Sequence, residues 1–249
     1  NYRGHCMDGK VAALIFEKAS TRTRVSFDVA VRQLGGTTIF MTPAESQLGR
    51  SEPLRDTARV LSRYVDCLIV RTFGQEKLDE LAEYGSLPVV NALTDQGHPC
   101  QLMADLLTIY ERTPDFSKVT VTWVGDGNNM ANSLIVGGLK CGMDVSAACP
   151  EGYDPDLAVL DFAKTVNDAQ FQLVRTPAEA VKDADVVVTD VWASMGQEQE
   201  KAQREKAFAV YCVDNELMKL AHPGCMVQHC LPAHRGEEIA AEVFEAHAD

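Results

Sequence analysis

Thr113-Pro114-Asp115-Phe116-Ser117-Lys118-Val119-Thr120-Val121-Thr122-Trp123-Val124 is the stretch whose reading decides the fold. Proline followed by aspartate stops the helical pattern that precedes it, and a run rich in β-branched and aromatic residues begins at Val119. From there strand and helix patterns alternate afresh. A strand is expected over 119–124, a helix over 130–140, a strand over 145–148 and a helix over 156–166. Further apolar runs at Val186–Thr189, 211–213 and Met226–His229 read as strands.

The same alternation lies on the other side of the break. Val11–Phe16 has the look of a buried strand, and 22–34 carries apolar residues at helical spacing until Gly35-Gly36 stops it. Strands are expected at Thr37–Met41, 67–70 and 88–91, and helices at 53–65, opened by proline, and 77–84. Pro99–Arg112 reads as one longer helix just before the break. Strands that alternate with helices imply parallel sheets covered on both faces. The expected fold is therefore α/β, with two parallel-sheet domains joined by a long helix: residues 1–97, a linking helix at 98–113, and a Rossmann-like domain at 114–249.

Composition narrows the function. Lys and Arg number 23 against 36 Asp and Glu, a net charge of −13. Such a surface repels phosphodiester backbones, so nucleic acid is not an expected partner, and an anionic substrate needs a local cluster of arginines. No apolar run approaches the ~20 residues of a membrane helix, so no membrane partner is expected. The eight cysteines are scattered and contain no CxxC. With no basic-then-apolar leader at the start, the expectation is reduced thiols in a cytoplasmic protein. The polar stretch 196–206 reads as a mobile loop.

Ligands of open α/β sheets collect at the carboxyl ends of strands. Ser20-Thr21-Arg22-Thr23-Arg24 falls after the first strand, at a helix start, where free amides, the helix dipole and two arginines suit a phosphate. Its ordinary reading is a helix cap beside solvated arginines. His98-Pro99-Cys100-Gln101 puts a histidine and an amide three residues apart at another helix start, able to donate to one carbonyl oxygen, although a single histidine is often a packing residue. Asp190-Val191-Trp192-Ala193-Ser194-Met195-Gly196 ends a strand with a carboxylate that suits an amine or merely caps a turn. Gly125-Asp126-Gly127-Asn128-Asn129 looks like a dinucleotide loop, but Met130 takes the third glycine position, which argues against a nicotinamide cofactor. His229, Cys230 and His234 lack the further ligand a closed zinc site needs.

Taken together and in order, these segments resemble the carbamoyltransferase family. FEKASTRTR at 16–24 is similar to its carbamoyl-phosphate signature and HPCQ at 98–101 to its HPxQ signature, both shared with the aspartate branch. DVWASMG at 190–196 and HCLP at 229–232 resemble the ornithine branch. The resemblance implies transfer of a carbamoyl group from carbamoyl phosphate to L-ornithine, giving L-citrulline and phosphate, without metal or organic cofactor. It implies that Ser20, Thr21, Arg22, Thr23 and Arg71 bind carbamoyl phosphate, that His98 and Gln101 hold its carbamoyl end, and that Gln47 reaches a neighbouring subunit's site. Asn129, Asp190, Ser194 and Met195 match ornithine-binding positions, and Cys230 and Leu231 match residues around the amine and the leaving group. Arg22, Arg71, His98, Asp190 and Cys230 are the expected catalytic set. The assembly implied is a homotrimer or a multiple of it. Family members also carry a helix ahead of the stretch that starts here at Asn1, and an arginine-bearing segment with a closing helix beyond Asp249.

Two other readings stay open on the sequence. One is a carbamoyltransferase for another amine, such as aspartate, putrescine or an acylated ornithine. The other is a non-catalytic binding or assembly protein of the same fold.

Overall fold

Strand β1 (Val11–Phe16) is an unbroken apolar run because both of its faces are covered. In the computed structural model, which describes residues 4–44, 52–193 and 200–248, its side chains alternate between two clusters. Ala12, Leu14 and Phe16 pack with Val31, Ile69 and Ala92. Ala13 and Ile15 pack with Ala58, Leu68, Val70, Leu78 and Leu81 on the opposite side.

Around β1 stand β2 (Thr37–Met41), β3 (Cys67–Arg71) and β4 (Val89–Leu93), all parallel, in the order β2-β1-β3-β4. The intervening helices are α1 (Thr21–Gln33), α2 (Leu54–Leu61) and α3 (Gln75–Tyr84). This unit runs over Asn1–Cys100. The helix expected over 53–65 ends at Leu61, where Ser62 turns its hydroxyl back to the carbonyl of Ala58 at 2.7 Å and the next amides close shorter turns.

The second unit, Gln101–Asp249, holds a five-stranded parallel sheet in the order β7-β6-β5-β8-β9. Its strands are β5 (Thr120–Val124), β6 (Asp144–Ala148), β7 (Phe171–Val174), β8 (Val186–Thr189) and β9 (Met226–His229). Helix α4 (Pro99–Arg112) sends Leu102, Leu106 and Ile109 into one side of this core, beside Met130, Leu134 and Ile135 of α5 (Asn129–Lys140). The remaining helices are α6 (Leu157–Ala163), α7 (Pro177–Val181), α8 (Lys201–Phe208), α9 (Asn215–Met218) and α10 (Ala241–Ala246). Phe208, Ala180, Val181 and Val243 fill the other side.

Two local expectations give way. Residues 211–213 form no strand; Val213 makes a single bridge to Ile239, and 211–212 are irregular backbone after the turn that ends α8. The polar stretch 196–206 is not a loop throughout, because its described part enters α8, where Arg204 is buried. The edge strand β7 lacks a long apolar run, which hid it in the sequence.

Strand order fixes where ligands collect. In the first unit the chain moves from β1 outward to β2, then returns to β3 on the other side, so the crevice opens at the carboxyl ends of β1 and β3. In the second it moves from β5 to β6 and β7, then returns to β8, so the crevice lies at the ends of β5 and β8.

Candidate active site

The β1/β3 crevice holds the first group of candidate residues. Ser20 is the N-cap of α1 in an extended conformation, φ −161° and ψ 122°, and its Oγ accepts the Thr23 amide at 3.2 Å. That one bond leaves the helix-start amides of Thr21 and Arg22 directed outward, as helix geometry requires. Arg71 ends β3, in register with Phe16 at the end of β1. It is buried, and its Nη1 donates to Thr23 Oγ1 at 3.2 Å, joining the end of β3 to the first turn of α1.

His98 lies just before α4, half-buried. Burial and the positive charge of Arg71 push its pKa down to about 4. The imidazole is therefore neutral at pH 7 and able to donate one N–H without carrying charge. Thr21 and Arg22 are exposed at the helix start. Arg24 is placed elsewhere: its guanidinium lies over the Phe40 ring, 3.6 Å from the centroid. An aromatic face therefore engages this arginine of the motif.

The β5/β8 crevice holds the second group. Asp190 follows β8 and is buried. Its Oδ2 accepts from Asn128 Nδ2 at 3.0 Å and its Oδ1 from the Cys230 thiol at 3.1 Å. Burial raises the Asp190 pKa, while the bonds from Cys230 and Asn128 oppose the rise. Cys230 follows β9, and burial, then the Asp190 charge, push its thiol well above the usual range. At pH 7 it is a protonated hydrogen-bond donor, not a thiolate nucleophile. Leu231 comes next in the left-handed region, φ 62°, with an exposed side chain and its amide donating to His229 Nδ1 at 2.9 Å.

Asn128 was invisible as a site residue in the sequence beside its neighbour Asn129. It caps α5, its Oδ1 accepting the amides of Met130 and Ala131, and this bonding directs its Nδ2 toward Asp190. The available signal was an Asx residue immediately before a helical pattern. Asn129 occupies the first turn of α5, half-buried. The glycines of this loop serve packing: Gly125 has φ 141°, and a Cβ on Gly127 would meet the backbone of Asp154 and Pro155 at 2.2 Å.

Arg204 of α8 holds the same strand ends together. Its Nη1 donates to Asp126 at 2.8 Å and to the carbonyl of Trp192 at 2.9 Å, and its Nε donates to Glu200 at 3.0 Å. It thus ties the segment after β8 to the loop after β5. Gln101, in the first turn of α4, donates its Nε2 to Asp105 at 2.9 Å. Gln47, Ser194 and Met195 lie outside the described residues.

Two groups among the described residues place potential metal ligands close together: Asp190 with His229 and Cys230, and His234 with Glu237 and Glu238. In the first, Nδ1 of His229 accepts from Leu231, which puts the ring proton on Nε2 facing Glu238 at 3.1 Å. Both ring nitrogens are then occupied, and Asp190 is taken up by Asn128 and Cys230. These donors satisfy one another and do not suit a cation.

Residues 1–111 match the carbamoyl-P binding domain, and residues 117–249 the Asp/Orn binding domain, of aspartate/ornithine carbamoyltransferase. The chain belongs to the aspartate/ornithine carbamoyltransferase family. It is 64% identical over 247 residues to the ornithine carbamoyltransferase of Nitratidesulfovibrio vulgaris, covering 99% of this chain and 82% of that one. It is 56% identical over 239 residues to the protein of the same name from Geobacter metallireducens, covering 96% and 79%. Its fold is similar to the ornithine carbamoyltransferase of Pyrococcus furiosus, with a TM-score of 0.94 at 47% identity over 98% of this chain and 79% of that one. The anabolic enzyme of Campylobacter jejuni also gives a TM-score of 0.94, at 40% identity over 99% and 82%. Membership in the carbamoyltransferase family accounts for a sequence with two strand-end crevices, one suited to an anion and the other built around a buried carboxylate.

Proposed function

We propose that the chain is an ornithine carbamoyltransferase, converting carbamoyl phosphate and L-ornithine to L-citrulline and phosphate. The observation that carries this reading is Asp190, buried at the β5/β8 crevice between Asn128 and Cys230. A carboxylate so placed gains most from an amine partner. Its family and the ornithine carbamoyltransferases it resembles support the same assignment.

Carbamoyl phosphate is a mixed anhydride with an electrophilic carbon. The amine nitrogen forms a bond to that carbon, the bond from carbon to the bridging oxygen breaks, and phosphate departs with the bonding pair. Arg22, Arg71 and the amides around Ser20, Thr21 and Thr23 take the phosphate charge. Thr23, Arg71 and neutral His98 donate to the carbonyl oxygen as it becomes an oxyanion. Gln101 takes the carbamoyl amide. Asp190 receives the side-chain ammonium of ornithine, whose lysine-like pKa near 10.4 requires loss of a proton before attack. Cys230 and Asn128 orient that carboxylate, and Asn129, Ser194, Met195 and Leu231 complete the ornithine contacts. Transfer proceeds by direct attack of the amine, since orientation and electrostatics need no covalent enzyme intermediate.

The assembly is a homotrimer or a multiple of it, with Gln47 contributed across the subunit boundary, and the protein works in the cytoplasm. Among the described residues no helix is long and apolar enough to cross a membrane.

The test is citrulline formation by the purified protein with ornithine, aspartate and putrescine offered separately at equal concentration. Ornithine is expected to react at least a hundredfold faster, as for a site whose buried polar groups need a matching partner. Equal turnover of aspartate overturns the assignment.

A further inference from the structure

We infer that Asp105 is a positioning residue that fixes the amide of Gln101 so that its carbonyl, not its NH2, meets the carbamoyl nitrogen of the substrate. The inference rests on the reading of Gln101 as a carbamoyl-binding residue given above.

Gln101 and Asp105 are one turn apart on α4 and share a face. That face is otherwise apolar: Leu102, Leu106 and Ile109 pack beside Asp105 into the core. Asp105 is itself buried, and among the described residues its carboxylate has no ion-pair partner. Gln101 Nε2 donates to that carboxylate at 2.9 Å. A carboxylate buried in an apolar helix stripe opposes stability unless something uses it.

The use follows from hydrogen-bond chemistry. An ionised carboxylate only accepts, so Gln101 must turn its Nε2 toward Asp105. The amide plane is rigid, and its Oε1 then points the opposite way as a fixed acceptor. Carbamoyl phosphate carries an NH2, which needs an acceptor. An amide free to flip would present its own NH2 for part of the time, two donors facing each other. Asp105 removes that alternative. The backbone of Asp105 is anchored as well, since its carbonyl accepts from Gln228 Nε2 at 3.1 Å.

Acetyl phosphate isolates this effect, because it keeps the phosphate and the carbonyl and replaces the NH2 with a methyl group. In Asp105→Leu, KM for carbamoyl phosphate is expected to rise roughly tenfold, the scale of one well-formed hydrogen bond. The inhibition constant of acetyl phosphate against carbamoyl phosphate is expected to stay within about twofold. Asp105→Asn can accept from Gln101 through Oδ1 but can also donate through Nδ2, so its KM for carbamoyl phosphate should fall between those of the parent and Asp105→Leu, with acetyl phosphate again unchanged. In a Gln101→Leu background, Asp105→Leu should change KM no further, which keeps the test decisive if the single variant folds poorly.

Equal weakening of carbamoyl and acetyl phosphate in Asp105→Leu overturns the inference, because a general distortion of the site acts on both. So does an Asp105→Asn variant as impaired as Asp105→Leu. A parent protein that forms no citrulline at all counts instead against the function proposed above.

Discussion

The thiol of Cys230 donates to the carboxylate of Asp190 at 3.1 Å, and the bond acts on the two groups in opposite senses. It lowers the proton affinity of Asp190, against the effect of burial, and raises that of Cys230, along with burial. The bond thereby helps to hold the proton on sulfur and offsets part of what burial does to the carboxylate.

Removing the charge at Asp190 should release the thiol. In Asp190→Asn, alkylation of Cys230 by iodoacetamide near pH 9 should speed up on the order of tenfold, the equivalent of one pKa unit. Peptide mapping against exposed Cys6 gives an internal reference. The same variant should lose ornithine turnover while binding carbamoyl phosphate alone as the parent does. An unchanged ratio of Cys230 to Cys6 labelling contradicts the coupling.

The α/β class and the parallel sheets were legible because β1 and β8 are continuous apolar runs, and such runs with helices between them admit few other solutions. Asp190 was legible because a carboxylate at a strand end breaks that pattern. Asn128, Asp105 and Arg204 were not. Each acts through a partner distant in sequence or hidden by helical periodicity: Asn128 through Asp190, Asp105 through an amide one turn away, and Arg204 through Asp126, 78 residues off. Arg204 also sits in a helix so charged that its pattern suggests a solvated segment, although that arginine is buried. Arg24 misled in the opposite direction, since its motif suits a phosphate and its side chain stacks on Phe40.

His98 makes a pH-dependent case. Its pKa is pushed down from 6.5 to about 4, so its charged form is disfavoured in the native state. The stability it confers is present above 6.5 and is lost as pH falls from there toward 4. Catalysis between pH 6 and 8 should therefore show no titration of His98. His98→Asn should lower kcat/KM on the order of a hundredfold, the scale of one lost oxyanion donor. The fall should be the same at each pH in that range. A pH–rate profile of the parent with an acid limb near 6.5 that vanishes in His98→Asn would falsify the neutral-donor role.

Asp105 should leave a mark on stability as well as on substrate binding. Burial pushes its pKa up from 3.8 to about 6, opposed only in part by the bond from Gln101. For a folded-state pKa raised above the unfolded one, the favourable contribution exists below pH 3.8 and is lost as pH rises through about 6. At neutral pH the ionised carboxylate then destabilises the fold by about 3 kcal/mol, taking 1.36 kcal/mol for each pKa unit. Asp105→Asn keeps the shape and the bond to Gln101 without the charge. It should be more stable than the parent at pH 7.5 by up to ~3 kcal/mol, and the two should converge near pH 4. Urea midpoints of both proteins at the two pH values measure this directly. A variant that gains nothing at pH 7.5 would mean that the charge is already compensated in the folded protein. The physical grounds for Asp105 as a residue kept for Gln101 against the interest of stability would then be gone.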